Sequence, residues 1–230
     1  MNKLFNVFFI TALVFSACSK KPIVELPITT SSPKALKHYK KAMLSFEVGD
    51  DFEKRQYLDS ALALDPNFVM ALDWYESLDP IKKREQREKA RSLQAAVTDA
   101  ERLILNIRNA YRSGNMDDAL ANAKKLVTNY NNAYEPYVWL GIVQSDRHEI
   151  DDAVINLKKA LELNPDSYEA YNTLMGHHIS AGTQVMLPEE KRDIELGMKY
   201  GDQLIRIRGD HGYPYHFKAN VYRQLGEFEK

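Results

Sequence analysis

Cysteine is nearly absent: Cys18 stands alone among 230 residues, so no disulfide can form within the chain. Charge of one sign is also missing. With 31 Lys+Arg against 32 Asp+Glu the net charge is -1, which provides no overall field for nucleic acid or an anionic bilayer, and nucleic acid is not expected as a partner. No apolar run is long enough to span a membrane. The longest, Leu4 to Phe15, would make a helix of roughly 18 Å, against a hydrocarbon core of roughly 30 Å. Glycine-rich phosphate loops, the Gly-x-Ser-x-Gly elbow and His-Glu-x-x-His are all lacking, so the sequence offers no catalytic residue and implies no cofactor or metal.

What is present begins with the amino terminus. Residues 1–17 carry Lys3 as their only charge, then the apolar run, then Ser16-Ala17, the pattern of a secretory signal that is cut rather than retained. Phe15-Ser16-Ala17-Cys18 resembles the lipobox of bacterial lipoproteins, which implies that Cys18 becomes the lipidated first residue of the mature chain. The resemblance places the protein in the bacterial cell envelope, lipid-anchored and, with Ser19 following, at the outer membrane facing the periplasm. Residues 18–33, with three prolines and a Thr-Thr-Ser-Ser run, lack helical periodicity and read as a flexible tether.

From residue 34 to 230 the chain is helical and repetitive. Ala61-Leu62-Ala63-Leu64-Asp65-Pro66 and Ala160-Leu161-Glu162-Leu163-Asn164-Pro165 echo one another with their prolines 99 positions apart, close to three units of about 33 or 34 residues. Counted from Tyr134, the residues Tyr137, Leu140, Gly141, Ala153, Leu157, Ala160 and Pro165 stand at 4, 7, 8, 20, 24, 27 and 32. Gly141 and Ala153 permit two helices to touch while Tyr137, Leu140 and Leu157 fill the space beside them. This pattern resembles the tetratricopeptide repeat. The resemblance implies an all-α, TPR-like α-solenoid of antiparallel helical hairpins in a right-handed superhelix. Units are expected at about 35–68, 69–99 (degenerate), 100–133, 134–167, 168–211 with an inserted loop at 182–193, and a partial unit at 212–230. Because the last unit stops at one helix, the natural protein is expected to continue.

Acidic pairs at Asp50-Asp51, Asp117-Asp118 and Asp151-Asp152 fall where second helices begin, which suits capping rather than acid and base chemistry. The run Lys82 to Arg91 reads as a solvated helix face, with a contact to lipid headgroups or an acidic partner as the alternative. His177, His178, His211 and His216 lack metal-binding spacing.

The family lines its concave groove with the first helix of each hairpin. Carried over, this gives Tyr39, Met43 and Phe46, then Ile104, Arg108 and Tyr111, then Val138, Ile142 and Ser145, then Asn172 and Ile179, then His216, Asn220 and Arg223. The resemblance therefore implies a non-catalytic interaction scaffold, similar in architecture to pilotins and outer-membrane assembly factors, that holds a peptide or protein segment in this groove. The Lys and Asn set by which one subfamily clamps a terminal carboxylate is absent. A small-ligand or glycan receptor using the inserted loop, and the regulatory arm of a longer enzyme, are the alternatives.

Overall fold

The computed structural model describes residues 22–179 and 187–226, apart from the side chains of residues 213, 214 and 224. Residues 1–17, Cys18 and positions 182–186 of the inserted loop lie outside these. Among the described residues the fold is all-α with no strand, a TPR-like stack of hairpins. Helices α1 (Pro33–Glu47) and α2 (Asp51–Leu64) pair, as do α5 (Asp99–Ser113) with α6 (Met116–Asn129), α7 (Glu135–Asp146) with α8 (Ile150–Leu163), and α9 (Tyr168–His178) with α10 (Ile194–Arg208). A short α3 (Val69–Asp73) and the charged α4 (Pro80–Ser92) stand between the first two pairs, and α11 (Tyr213–Gln224) packs on α10.

Local chemistry sets these boundaries. Asp50, Asn115 and Asp193 cap α2, α6 and α10 by accepting a backbone N–H three residues on, and Thr98 with Glu101 closes a capping box at α5. Asp51, Asp117, Asp118, Asp151 and Asp152 sit in first turns, favoured there by the positive end of the helix dipole. Asp65 and Asn164 are both extended, as the prolines after them require, and each accepts the N–H two residues on.

Small residues bring the paired helices together. A Cβ on Gly141 would lie 2.6 Å from Leu157, so α7 and α8 touch through a position that only glycine fits. Lys54 stands where the repeat favours alanine. Its stem is buried in the first hairpin while the ammonium group reaches Asp51 at 2.5 Å and lies 5.3 Å from the Phe46 ring.

Two features depart from the expected ribbon on a free tether. First, residues 25 to 31 are tied down. Leu26 is buried, and the backbone N–H groups of Leu26, Thr29 and Ser31 donate to Glu135, Glu101 and Asp65 at 3.1, 2.8 and 2.7 Å. The Thr29 and Thr30 hydroxyls donate to Glu101 and Asp65 as well, and Glu25 holds Lys40. The stretch is a strap running against the order of the repeats. Its threonines and serines, suggestive of a linker by composition, act as donors to carboxylates at successive hairpins.

Second, the ends of the row meet. Glu47, at the end of α1, pairs with Arg208 of α10 at 3.1 Å, and the neighbouring Val48 is buried with Tyr168, Met175, Leu204 and Phe217. The hairpins thus curve round a central space.

Candidate functional site

The space enclosed by this curve is a cavity of about 1040 Å³. Residues from α1, α3, α5, α7 and α9 form its wall, and Leu26, Pro27 and Ile28 of the strap border it.

One end of the cavity is aromatic and rigid. Phe46 meets Trp74 edge to face at 4.7 Å, and the Arg108 guanidinium lies over Trp74 at 3.5 Å from the ring centre. Arg108 and Arg112 both grip the buried Asp73 carboxylate, Arg112 through two contacts of 2.7 and 2.9 Å. Burial alone would raise the Asp73 pKa, yet the two guanidiniums hold it below the usual carboxylate range. Desolvation lowers the pKa of Arg108, with Asp73 opposing it.

The other end is acidic. Glu47, Glu135 and Glu169 line it beside Tyr134 and His177. Burial raises the pKa of all three carboxyls; Glu169, with the charge of Glu47 adding to burial, is pushed up to about 8. His177 is 1% exposed, and burial pushes its imidazole down to about 4, so it is neutral at physiological pH.

Ser145 and His177 approach at 2.9 Å, the atoms of a nucleophile and a base. The Ser145 hydroxyl donates instead to the Gly141 carbonyl at 2.8 Å, and His177 Nδ1 has no orienting carboxylate. The pair lacks the arrangement that activates a serine.

The groove residues expected from the repeat fall into two groups. Tyr39, Met43, Phe46, Ile104, Arg108, Tyr111, Val138, Ile142 and Ser145 all border the cavity. Within that group, Tyr39 and Ile104 are buried, Tyr39 against Phe68 at 5.1 Å between ring centroids, while Arg108 and Tyr111 are held by Asp73 and Asp146. Phe46, 39% exposed, is the freest aromatic of the set. The second group lies off the wall. Asn172 and Ile179 are buried away from it. On α11, Phe217 and Val221 face inward, which turns His216, Asn220 and Arg223 outward; Asn220 donates to His216 at 3.0 Å. The periodicity that puts these three on one face is real, but the buried face of α11 is the adjoining one, which carries Phe217 and Val221.

Several wall residues escaped the pattern. Trp74, Glu135 and Glu169 lie at unit starts or in the degenerate unit, and the strap has no periodicity at all. For Glu135 and Glu169 the available signal was an acidic residue in the first turn of a helix.

The remaining charged features are structural. Lys83 and Arg87 of α4 hold Glu76, and Lys89 donates to the Pro66 carbonyl, so much of the basic run fastens α4 to its neighbours. His178 accepts from Asp193 N–H at 3.0 Å. Among the described residues no group of three or more His, Cys, Asp or Glu could hold a metal, and no helix is long and apolar enough to cross a membrane.

No protein-family model matches the sequence, and no curated protein does. Among solved structures, the chain is similar to a MamA RS-1 ArsTM double mutant, with a TM-score of 0.43 and 12% identity over 78% of this chain and 97% of that one. It is also similar to YrrB, described as a TPR protein with an unusual peptide-binding site, with a TM-score of 0.42 and 18% identity over 80% of this chain and 91% of that one.

Proposed function

We propose that the protein is a non-catalytic scaffold that binds a peptide or protein segment in its central cavity, and that Cys18 carries a lipid holding it in the bacterial cell envelope, at the outer membrane facing the periplasm. The observation that carries the binding reading is the cavity itself: about 1040 Å³, bordered by the apolar and aromatic Phe46, Trp74, Trp139 and Ile142 and by the carboxyls of Glu47, Glu135 and Glu169. Rigid aromatic anchors beside polar groups are what segment recognition uses, and this wall is built on helices rather than loops. The lipobox resemblance at residues 15–18 supports the anchor, which would raise the local concentration of the scaffold near membrane partners. Assembly of an envelope complex is the role this combination suits.

The receptor alternative has less support. The described part of the inserted loop, residues 187–193, contributes nothing to the cavity wall.

A photo-reactive residue placed at Ile142, inside the cavity, is expected to cross-link a partner in intact cells. The same residue at Phe52, on the outer surface, is expected to give no such product, and Phe46→Ala is expected to weaken the product from Ile142. Equal labelling from both positions would remove the cavity as the binding site. For the anchor, radiolabelled palmitate should enter the wild type and be lost with Cys18→Ala.

A further inference from the structure

The acidic end of the cavity holds acceptors in excess of donors. Glu135 gives one oxygen to the Leu26 N–H, and its other oxygen, Oε2, is buried with no partner. Glu169 takes a hydrogen bond from the Asn172 side chain, and no cation among the described residues lies within ion-pair distance of it. The nearby cations are committed elsewhere, Lys40 to Glu25 at 2.5 Å and Arg208 to Glu47 at 3.1 Å, although Arg208 Nε is itself left without an acceptor.

His177 adds an independent sign. Since the single Ser145 hydroxyl proton goes to Gly141, Ser145 must accept from His177 Nε2–H. The other nitrogen, Nδ1, is then a bare acceptor on a ring that borders the cavity, 1% exposed and unpartnered. A buried acceptor with no donor is costly, and Glu135 Oε2 and His177 Nδ1 are two such atoms in one wall. The group that would satisfy such a wall is a donor-rich cation, and Tyr134 places an aromatic ring within the same wall.

We infer that the acidic end of the cavity, built on Glu135 and Glu169 with His177 behind them, receives the ammonium or guanidinium head of a lysine or arginine side chain from the bound segment. This rests on the reading of the cavity as a segment-binding site and adds the charge of what it selects. The two ends then divide the work: Phe46 and Trp74 take an apolar side chain, and Glu135 with Glu169 takes the basic one. Burial raises the pKa of both carboxyls, and the positive charge of a bound cation would lower them again and favour their ionised forms.

The test is selection of random peptides displayed on phage against the immobilised full chain, in parallel with Glu135→Gln/Glu169→Gln and with Trp74→Ala. Glutamine has the shape of the protonated acid, so the double variant should keep the fold, which far-UV circular dichroism and thermal melting verify. Wild type is expected to enrich sequences with Lys or Arg at one fixed position beside an apolar one. The double variant should lose the basic preference and keep the apolar one, and Trp74→Ala should do the reverse. A wild-type peptide should bind the double variant about tenfold more weakly, the loss of one charge-assisted contact. Enriched sequences without a basic preference, or with one that survives in the double variant, would overturn the inference while leaving the cavity reading intact. If folded wild type enriches nothing, both fall.

Discussion

Asp73 is the residue on which the aromatic end of the cavity depends. Its carboxylate is the shared counter-charge of Arg108 and Arg112, and Arg108 in turn covers Trp74. Replacing it with alanine leaves two largely desolvated guanidiniums without an anion. Asp73→Ala should therefore destabilise the fold by about 3 kcal/mol, read from urea unfolding. Glu169 works in the opposite sense. Its carboxyl is raised from 4.5 to about 8, so the folded state prefers it protonated; its effect on stability is most favourable below pH 4.5 and is lost as pH rises through 8. Glu169→Gln should remove this dependence, melting higher than wild type at pH 8.5 by a margin equivalent to roughly 3 kcal/mol, with the two chains converging near pH 4. A slope unchanged by the substitution would show that Glu47 and Asn172 do not set the environment described. His148 is a smaller case. It holds a left-handed conformation, φ 61°, at a hairpin turn where Gly49 and Gly114 stand in the first and second pairs, and His148→Gly should stabilise by about 0.5 kcal/mol.

At the scale of elements, the strap is held by carboxylates that belong to helices. Asp65 lies below its ordinary pKa of 3.8 because, against the effect of burial, Thr30, Ser31 and Asn67 all donate to it. Its hold on the strap is accordingly complete above that value and is lost as pH falls below it. Asp65→Asn combined with Glu101→Gln should release the strap, and amide hydrogen exchange at Leu26, Thr29 and Ser31 should accelerate while the amides of α7 and α8 stay protected. Between paired helices the limit is steric: Gly141→Ala should destabilise by about 2 kcal/mol, since the added carbon would sit 2.6 Å from Leu157. The close contact at Gly141 was legible in the sequence because helix pairing is a matter of local spacing, in which a glycine at one fixed distance from an alanine allows two backbones to approach. For the same reason the all-α stack was legible. The strap was not, since a chain of serines and threonines has the same composition whether it donates to water or to carboxylates of distant hairpins. The acidic end of the cavity was hidden for a related reason. Glu135 and Glu169 look like ordinary first-turn residues, and only the curvature of the whole row turns them inward together.

For the molecule as a whole, the curvature is fixed where Glu47 meets Arg208 and Val48 meets the last hairpins. Arg208→Ala leaves Glu47 without its cation, and spin labels at Phe52 and Asn220 should report a longer and broader distance distribution than in wild type, with the helical content unchanged. This junction joins residues 161 positions apart, whereas the hairpins themselves close over short loops. During synthesis each hairpin can therefore form soon after it leaves the ribosome, but Val48 must wait, uncovered, until α10 has been made. The junction is a late event, and a chain cut short before α10 would expose an apolar spot at its first turn that quality-control proteases or chaperones could read as a mark of incompleteness.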